Sequence, residues 1–316
     1  MKAVQFEGAE GAKRPVVRDD VATPKPGAGE VLIKIRAAGL NRADLSARPG
    51  VPGIEFAGEI VEVGAGVPSW KAGDKVMGHG GGGFAEYVAP DHRVLFPVPD
   101  GVGWEKAATY PVAINTMHNA VVTNGRLKKG EAVMFQGATS GVGILGIQVA
   151  KAMGARLVIG TSRSDQKLEV LKDFGMDVGI NTSDADWPAK VREATGGEGV
   201  NLTVDMVSGP MMAGNMEAAA ILGRIVNVGR LGGRSAPFDF NMHAMKRIDY
   251  IGVTFRSRSA DEVADIVAAA KADLWELIRT QKIGLPVVAT YALDDIAEAF
   301  AAMRRDEHLG KIVITV

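Results

Sequence analysis

"MFQGATSGVGILGIQVAK", residues 134–151, runs from an apolar stretch through a turn of small residues into a segment whose apolar positions have helical spacing. A strand, a tight turn and a helix in that order make the usual seat of a dinucleotide pyrophosphate, whose charge rests at the helix N-terminus. Ala138 and Ser140 stand where the G-x-G-x-x-G pattern has its first two glycines, and Gly143 keeps the third. Small residues suffice at the first two places provided the backbone stays out of the left-handed region there. Ser140 also offers a hydroxyl to a phosphate. The plainer reading is that small residues let the helix pack closely on the strand.

The next strand bears on the choice. "RLVIGTSRSDQK", residues 156–167, ends about 20 residues beyond Gly143, where an NAD-binding fold carries an acid for the ribose 2′-hydroxyl. Here the tip reads Thr161-Ser162-Arg163-Ser164, with Lys167 one turn into the next helix and no carboxylate before Asp165. Hydroxyls, a guanidinium and an ammonium suit a 2′-phosphate. The cofactor implied is NADP(H).

Working outward, two textures divide the 316 residues. Residues 1–112 hold short β-branched runs broken by glycine and proline, as in "EVLIKIRAAG" and "GEIVEVGAGV", which predict a closed or partly closed β structure. From about Leu127 strands are expected at 131–136, 156–160, 177–181, 201–206, 224–229 and 249–255, with helices between them, including one over "PMMAGNMEAAAILG", residues 210–223. That alternation predicts a doubly wound parallel sheet, an α/β fold. A long amphipathic segment follows at 260–281, and then β texture returns in "LPVVATYAL" and "GKIVITV".

Composition sets outer limits. A formal net charge of −1 argues against an electrostatically driven nucleic-acid or membrane binder. With no cysteine there is no disulfide, thiolate metal site or cysteine nucleophile. His79, in "GHGGGG", lacks a ligand cluster around it in sequence, so no metal is expected. The absence of a signal peptide or a long apolar run makes the cytoplasm the expected compartment.

Seven blocks in order resemble the zinc-independent quinone oxidoreductase branch of the medium-chain dehydrogenase/reductase family: "AAGLNRADL" (37–45), "PGIEFAGEIVEVGAGV" (52–67), "GDKVMG" with "GGFAEYV" (73–88), "GATSGVG" (137–143), "VNVGRLGG" (226–233), "FRSRS" (255–259) and "GKIVITV" (310–316). The resemblance implies a GroES-like β domain over 1–112, completed by 280–316, and an NADP-binding Rossmann domain over 113–279. It makes the variant turn, Ala138, Thr139, Ser140, Gly141, Val142 and Gly143, an ordinary one for the family. It brings Thr116, Val228, Gly229, Arg230, Phe255, Arg256, Arg258 and Lys311 to the cofactor beside Ser162, Arg163 and Lys167. Asn41 and Asp44 fall in the block that lines the nicotinamide end in relatives and are the candidates for positioning, Asn41 donating through its amide and Asp44 taking part directly or simply orienting Asn41, Arg42 or a neighbouring loop. The loop in "SARPGVPGIEF", residues 46–56, is shorter than in relatives, which weakens inference about the substrate.

Without metal, flavin or thiol, the feasible chemistry is direct hydride transfer to a small electrophile already activated by conjugation, a quinone or an α,β-unsaturated carbonyl. Tyr87 and Tyr110 are weaker candidates as proton donors. An enoyl-thioester reductase is the alternative, and its basic entrance would draw on Arg42, Arg48, Lys246 and Arg247. A non-catalytic NADPH-binding protein is the other. "DYIGVTF", residues 249–255, reads as the last strand of the cofactor sheet, an open edge that predicts a homodimer.

Overall fold

The computed structural model describes residues 1–9, 13–46 and 49–316. Arg48, named above for a basic entrance, lies outside them. The chain divides into two compact units, Met1–Val112 with Ser259–Val316, and Ala113–Arg258.

In the second unit six strands form one parallel sheet: Ala132–Gln136, Leu157–Ser162, Val178–Asn181, Val200–Asp205, Ala219–Asn227 and Asp249–Gly252. Counted along the chain, their order across the sheet is third, second, first, fourth, fifth, sixth. The order reverses between the first and fourth strands, the switch point that defines a doubly wound Rossmann sheet and its ligand crevice. Ala132, Met134, Ile159, Ile180, Val200 and Ala218 pack with Trp187 and Val191 in one apolar cluster. The last strand is an edge, as its sequence predicts, but it covers Asp249–Gly252 and not all of 249–255.

One expected helix is cut short. It runs over Met212–Ala218, and the strand begins at Ala219. Lys246 ends it by donating to the carbonyls of Met216 (2.9 Å), Glu217 (2.6 Å) and Ala219 (2.8 Å). Ala219 then pairs with Val200, and a bulge with Leu222 at φ 59° carries the chain on to Arg224 opposite Leu202. Ladder pairing and a tertiary cap here outweigh the helix propensity of the alanines.

The first unit is built on a seven-stranded sheet. Its main path is Val287–Ala292, Lys311–Thr315, Val31–Leu40, Glu55–Val63, Lys75–His79 and Leu95–Pro97, with Tyr87–Val88 also on Val31–Leu40. The final strand returns to this unit, Ile312 facing Leu40 in antiparallel register. Its core joins Val4, Leu40 and Phe84 to Phe300, Met303, Ile312 and Ile314.

The expected division is after residue 279, and the two compact units part between Arg258 and Ser259. The helix Ala260–Arg279 opens with a reciprocal cap between Ser259 and Glu262 and packs on the first unit. Lys271 sits 5.6 Å from the Trp70 ring centroid and 5.7 Å from that of Phe96. Arg93 reaches Asp261 at 2.7 Å. These contacts lie outside what helical periodicity reports. Among the described residues no helix is long and apolar enough to cross a membrane.

Candidate functional site

The turn after the first strand of the parallel sheet takes its left-handed step at Gly137 (φ 79°), while Ser140 stays at φ −73° and Ala138 is absent from the left-handed positions. The replaced glycines were therefore not needed for backbone freedom. Gly143 is needed for space, since a Cβ there would lie 2.5 Å from the Ala138 carbonyl oxygen.

Ser140 is committed to the turn. Its Oγ donates to the Gly137 carbonyl and accepts from Gly143 N, each at 3.1 Å. The hydroxyl expected for a phosphate thus caps the helix Gly141–Ala152 instead. The N–H groups of Gly141 and Val142, half-buried beside Thr139, have no acceptor among the described residues. They are the donors that a pyrophosphate would meet.

At the tip of the second strand, Ser162 Oγ accepts from Ser164 N (3.2 Å), and Ser164 Oγ accepts from Lys167 N (3.3 Å) to start the helix Asp165–Leu171. Arg163 is exposed, with no ion-pair partner among the described residues. Asp165, the nearest acid, is held by the Asn181 amide at 3.0 Å.

Behind these loops runs a feature that sequence reasoning missed. Four neighbouring strands carry a buried polar residue at one level near their carboxyl ends: Thr161, one residue before the end of its strand, and Gln136, Asp205 and Asn227, which close theirs. Asp205 Oδ1 accepts from the backbone N–H of Val207 and Ser208, both at 2.8 Å, and its Oδ2 accepts from Asn215 at 2.9 Å. Burial pushes the Asp205 carboxyl above the usual range, and those three donors pull it back. The backbone oxygen of Asp205 holds Val228 N (2.8 Å) and Gly229 N (3.1 Å). The signal was a run of apolar residues stopping on one polar residue in each strand, "AVMFQ", "NLTVD" and "RIVN" among them.

Further round the unit, Thr116 is the one half-buried residue in the run 111–121. Arg230 is exposed and donates to the Val228 carbonyl at 3.3 Å. Phe255 is half-buried and Arg256 exposed in the loop after the last strand. Arg258 is tied into the fold by the Thr254 carbonyl (2.9 Å) and Asn119 (3.4 Å).

In the first unit the strand ends gather Asn41, Glu55 and Lys311. Lys311 Nζ pairs with Glu55 Oε1 and donates to Asn41 Oδ1 at 2.8 Å. Asn41 Nδ2 donates to Glu55 Oε1 (2.8 Å) and to the Gly39 carbonyl (3.2 Å). Glu55 Oε2 accepts from Val112 N at 2.9 Å. A Cβ at Gly39 would lie 2.3 Å from Glu55 Oε1, which explains the glycine in "AAGLN". Both amide hydrogens of Asn41 are therefore spent inside the protein, contrary to the expectation that they face a substrate. Asp44, buried, accepts from Asn41 N at 2.8 Å and so orients it. Glu55 is the member that sequence reasoning passed over.

Other candidates fall away. Burial holds His79 down to about 4, hence neutral at pH 7. Tyr110 is fully buried, donates to the Ile283 carbonyl at 3.2 Å, and burial pushes its hydroxyl up to about 12. Tyr87 pairs with Lys34 in the sheet. The described members of the expected basic entrance are engaged locally or placed away from the turn. Lys246 is spent on carbonyls, Arg247 precedes the last strand at the amino ends of the sheet, away from the phosphate turn, and Arg42 is paired with Asp306. Among the described residues no three His, Asp or Glu side chains gather as a metal site.

Residues 27–100 match a family model described as alcohol dehydrogenase GroES-like domain, and residues 141–271 one described as zinc-binding dehydrogenase. The chain is 28% identical to quinone oxidoreductase-like protein 2 of Rattus norvegicus, over 96% of this chain and 90% of the relative. The quinone oxidoreductase of Pseudomonas syringae pv. Tomato DC3000 superposes with a TM-score of 0.88 at 26% identity, covering 100% of this chain and 99% of that one. The apo JamJ enoyl reductase does so with a TM-score of 0.85 at 25% identity and the same coverage. A GroES-like unit joined to a Rossmann unit defines an oxidoreductase scaffold. The chain belongs to the medium-chain dehydrogenase/reductase family and is consistent with its zinc-independent quinone oxidoreductase branch.

Proposed function

We propose that this protein is an NADPH-dependent reductase of quinones or other conjugated carbonyl compounds, working without a metal. The observation that carries the cofactor is the tip of the second strand, where an exposed Arg163 and Ser162 stand in place of an acid. The residues fit the cofactor: the N–H groups of Gly141 and Val142 would hold the pyrophosphate, and Arg163, with Lys167 beyond it, would hold the 2′-phosphate. Ala138, Thr139 and Gly143 belong to the same turn, Gly143 through the room it leaves for the Ala138 carbonyl. Thr116, Val228, Gly229, Arg230, Phe255 and Arg256 serve the nicotinamide half, with Arg258 bracing its loop. When bound, NADPH supplies a hydride. Asn41 and Asp44 position the electrophile's surroundings through Lys311, and no side chain is assigned as proton donor, because water protonates the enolate that hydride addition leaves.

The test is a panel of quinones, enones and enoyl thioesters followed by NADPH absorbance. Turnover of the first two groups supports the reading. Turnover of enoyl thioesters alone would favour the second reading, for which the fold of the JamJ enoyl reductase is the supporting observation. NADPH binding without turnover of any would leave a non-catalytic protein. Activity should persist after exhaustive EDTA treatment, and loss that zinc restores would overturn the mechanism.

The assembly proposed is a homodimer through the open edge Asp249–Gly252. Tyr250 is 42% exposed there, and Phe240 (78%) and Met245 (72%) stand on the preceding helix Phe240–Lys246. An apolar edge with unpaired backbone groups is closed by a two-fold partner. Light scattering at micromolar concentration should give twice the chain mass, and a monomer would count against it.

A further inference from the structure

We propose that Asp205 is a positioning residue that fixes the direction of one buried hydrogen-bond chain, and through it holds the phosphate turn and the Val207–Gly209 loop in a single geometry. This rests on the nicotinamide reading only for its purpose, because the chain itself is visible in the protein.

Both oxygens of Asp205 accept, from Val207 N, Ser208 N and Asn215 Nδ2, so Asp205 sets the direction of every link behind it. Asn215 must present its Nδ2 to Asp205 (2.9 Å), which turns its Oδ1 toward Gln136 Nε2 (3.0 Å). Gln136 must then offer Oε1 to the hydroxyl of Thr161. With its proton spent on Gln136, Thr161 Oγ1 accepts from Gly137 N at 3.1 Å. Gly137 is the residue whose left-handed backbone makes the turn. On the other side, the same carboxylate holds Val207 N and Ser208 N. Ser208, itself at φ 58°, accepts from Asn227 and donates to the Gly229 carbonyl at 2.7 Å. The chain thus spans the carboxyl ends of four strands. Chains of buried hydrogen bonds stiffen a site when every member is satisfied and disturb it when one is not.

Replacing Asp205 by asparagine sets an amide donor against the donor of Asn215. The chain must then break or reverse. Reversal leaves the Thr161 proton only the distant Phe135 carbonyl at 3.4 Å and puts two donors on Thr161 Oγ1. The exchanged pair Asp205→Asn with Asn215→Asp restores the balance. Asn at 205 accepts the two backbone N–H groups and donates to the new carboxylate, which also accepts from Gln136, leaving Thr161 as before.

The experiment is residue-resolved amide hydrogen exchange of the cofactor-free protein, with NADPH affinity measured beside it. In Asp205→Asn the Gly137 amide should exchange about tenfold faster and NADPH should bind about tenfold more weakly, the loss of roughly one buried hydrogen bond. The exchanged pair should return both to the wild-type values. Thr161→Val should speed Gly137 exchange while leaving Val207 and Ser208 unchanged. A merely structural aspartate would lower the melting temperature of every variant without this pattern. Unchanged Gly137 exchange in both Asp205→Asn and Thr161→Val, or an exchanged pair that behaves like Asp205→Asn alone, would overturn the proposal. Should Asp205→Asn fail to fold, Thr161→Val and the exchanged pair still decide it. Wild-type protein that binds neither NADPH nor NADH would defeat the nicotinamide reading, while the exchange data judge the chain independently.

Discussion

Arg163→Asp is expected to reverse the choice of cofactor. Wild-type protein should favour NADPH over NADH by about a hundredfold in kcat/KM. A 2′-phosphate carries close to two negative charges, and an exposed guanidinium can meet it with paired donors. Two charge-assisted hydrogen bonds, at the low end because the site faces water, contribute about 3 kcal/mol together. That energy corresponds to roughly a hundredfold in binding. An aspartate there removes the attraction, repels the phosphate and offers an acceptor to a bare ribose hydroxyl. Steady-state kinetics with both cofactors on both proteins measure the change. Equal efficiencies in the wild type would sink the NADPH assignment, and an unchanged ratio in the variant would clear Arg163 of the role.

The second large effect is on stability. Glu55 is fully buried and Lys311 is 5% exposed. Glu55→Gln leaves that ammonium without its counter-charge, and breaking a buried pair from one side costs about 3–5 kcal/mol. For a unit of this size the melting temperature should fall by roughly 10 °C. The double variant Glu55→Gln/Lys311→Met, which removes both charges, should recover most of the loss. Calorimetry of the three proteins separates the outcomes. A Glu55→Gln protein that melts with the wild type would show that the pair is not what holds Asn41 and the strand ends together.

Much of this was open to reading from the chain, and the reason is periodicity. "EAVMFQ" and "RLVIG" announce buried parallel strands, and the helix after Ser140 shows its spacing and its cap. What periodicity does not carry is where a polar side chain spends its hydrogen bonds. Asn41 reads as a free donor, yet its partners Glu55 and Lys311 come from 14 and 270 residues away. Ser140 reads as a phosphate ligand, yet its hydroxyl closes its own turn. The helix expected to reach Gly223 stops at Ala218 because Lys246, far along the chain, takes its last carbonyls. Local propensity had no access to that lysine.

The return of the last strand to the first unit also orders events during synthesis. Residues 113–258 form one unbroken stretch and can close their sheet once Gly252 and its neighbours have left the ribosome. One apolar cluster of the other unit cannot, because Val4, Leu40 and Phe84 await Phe300, Met303 and Ile314. Those side chains are therefore made well before the residues that shelter them. At about 5–20 residues per second of synthesis, that wait is roughly ten seconds or more.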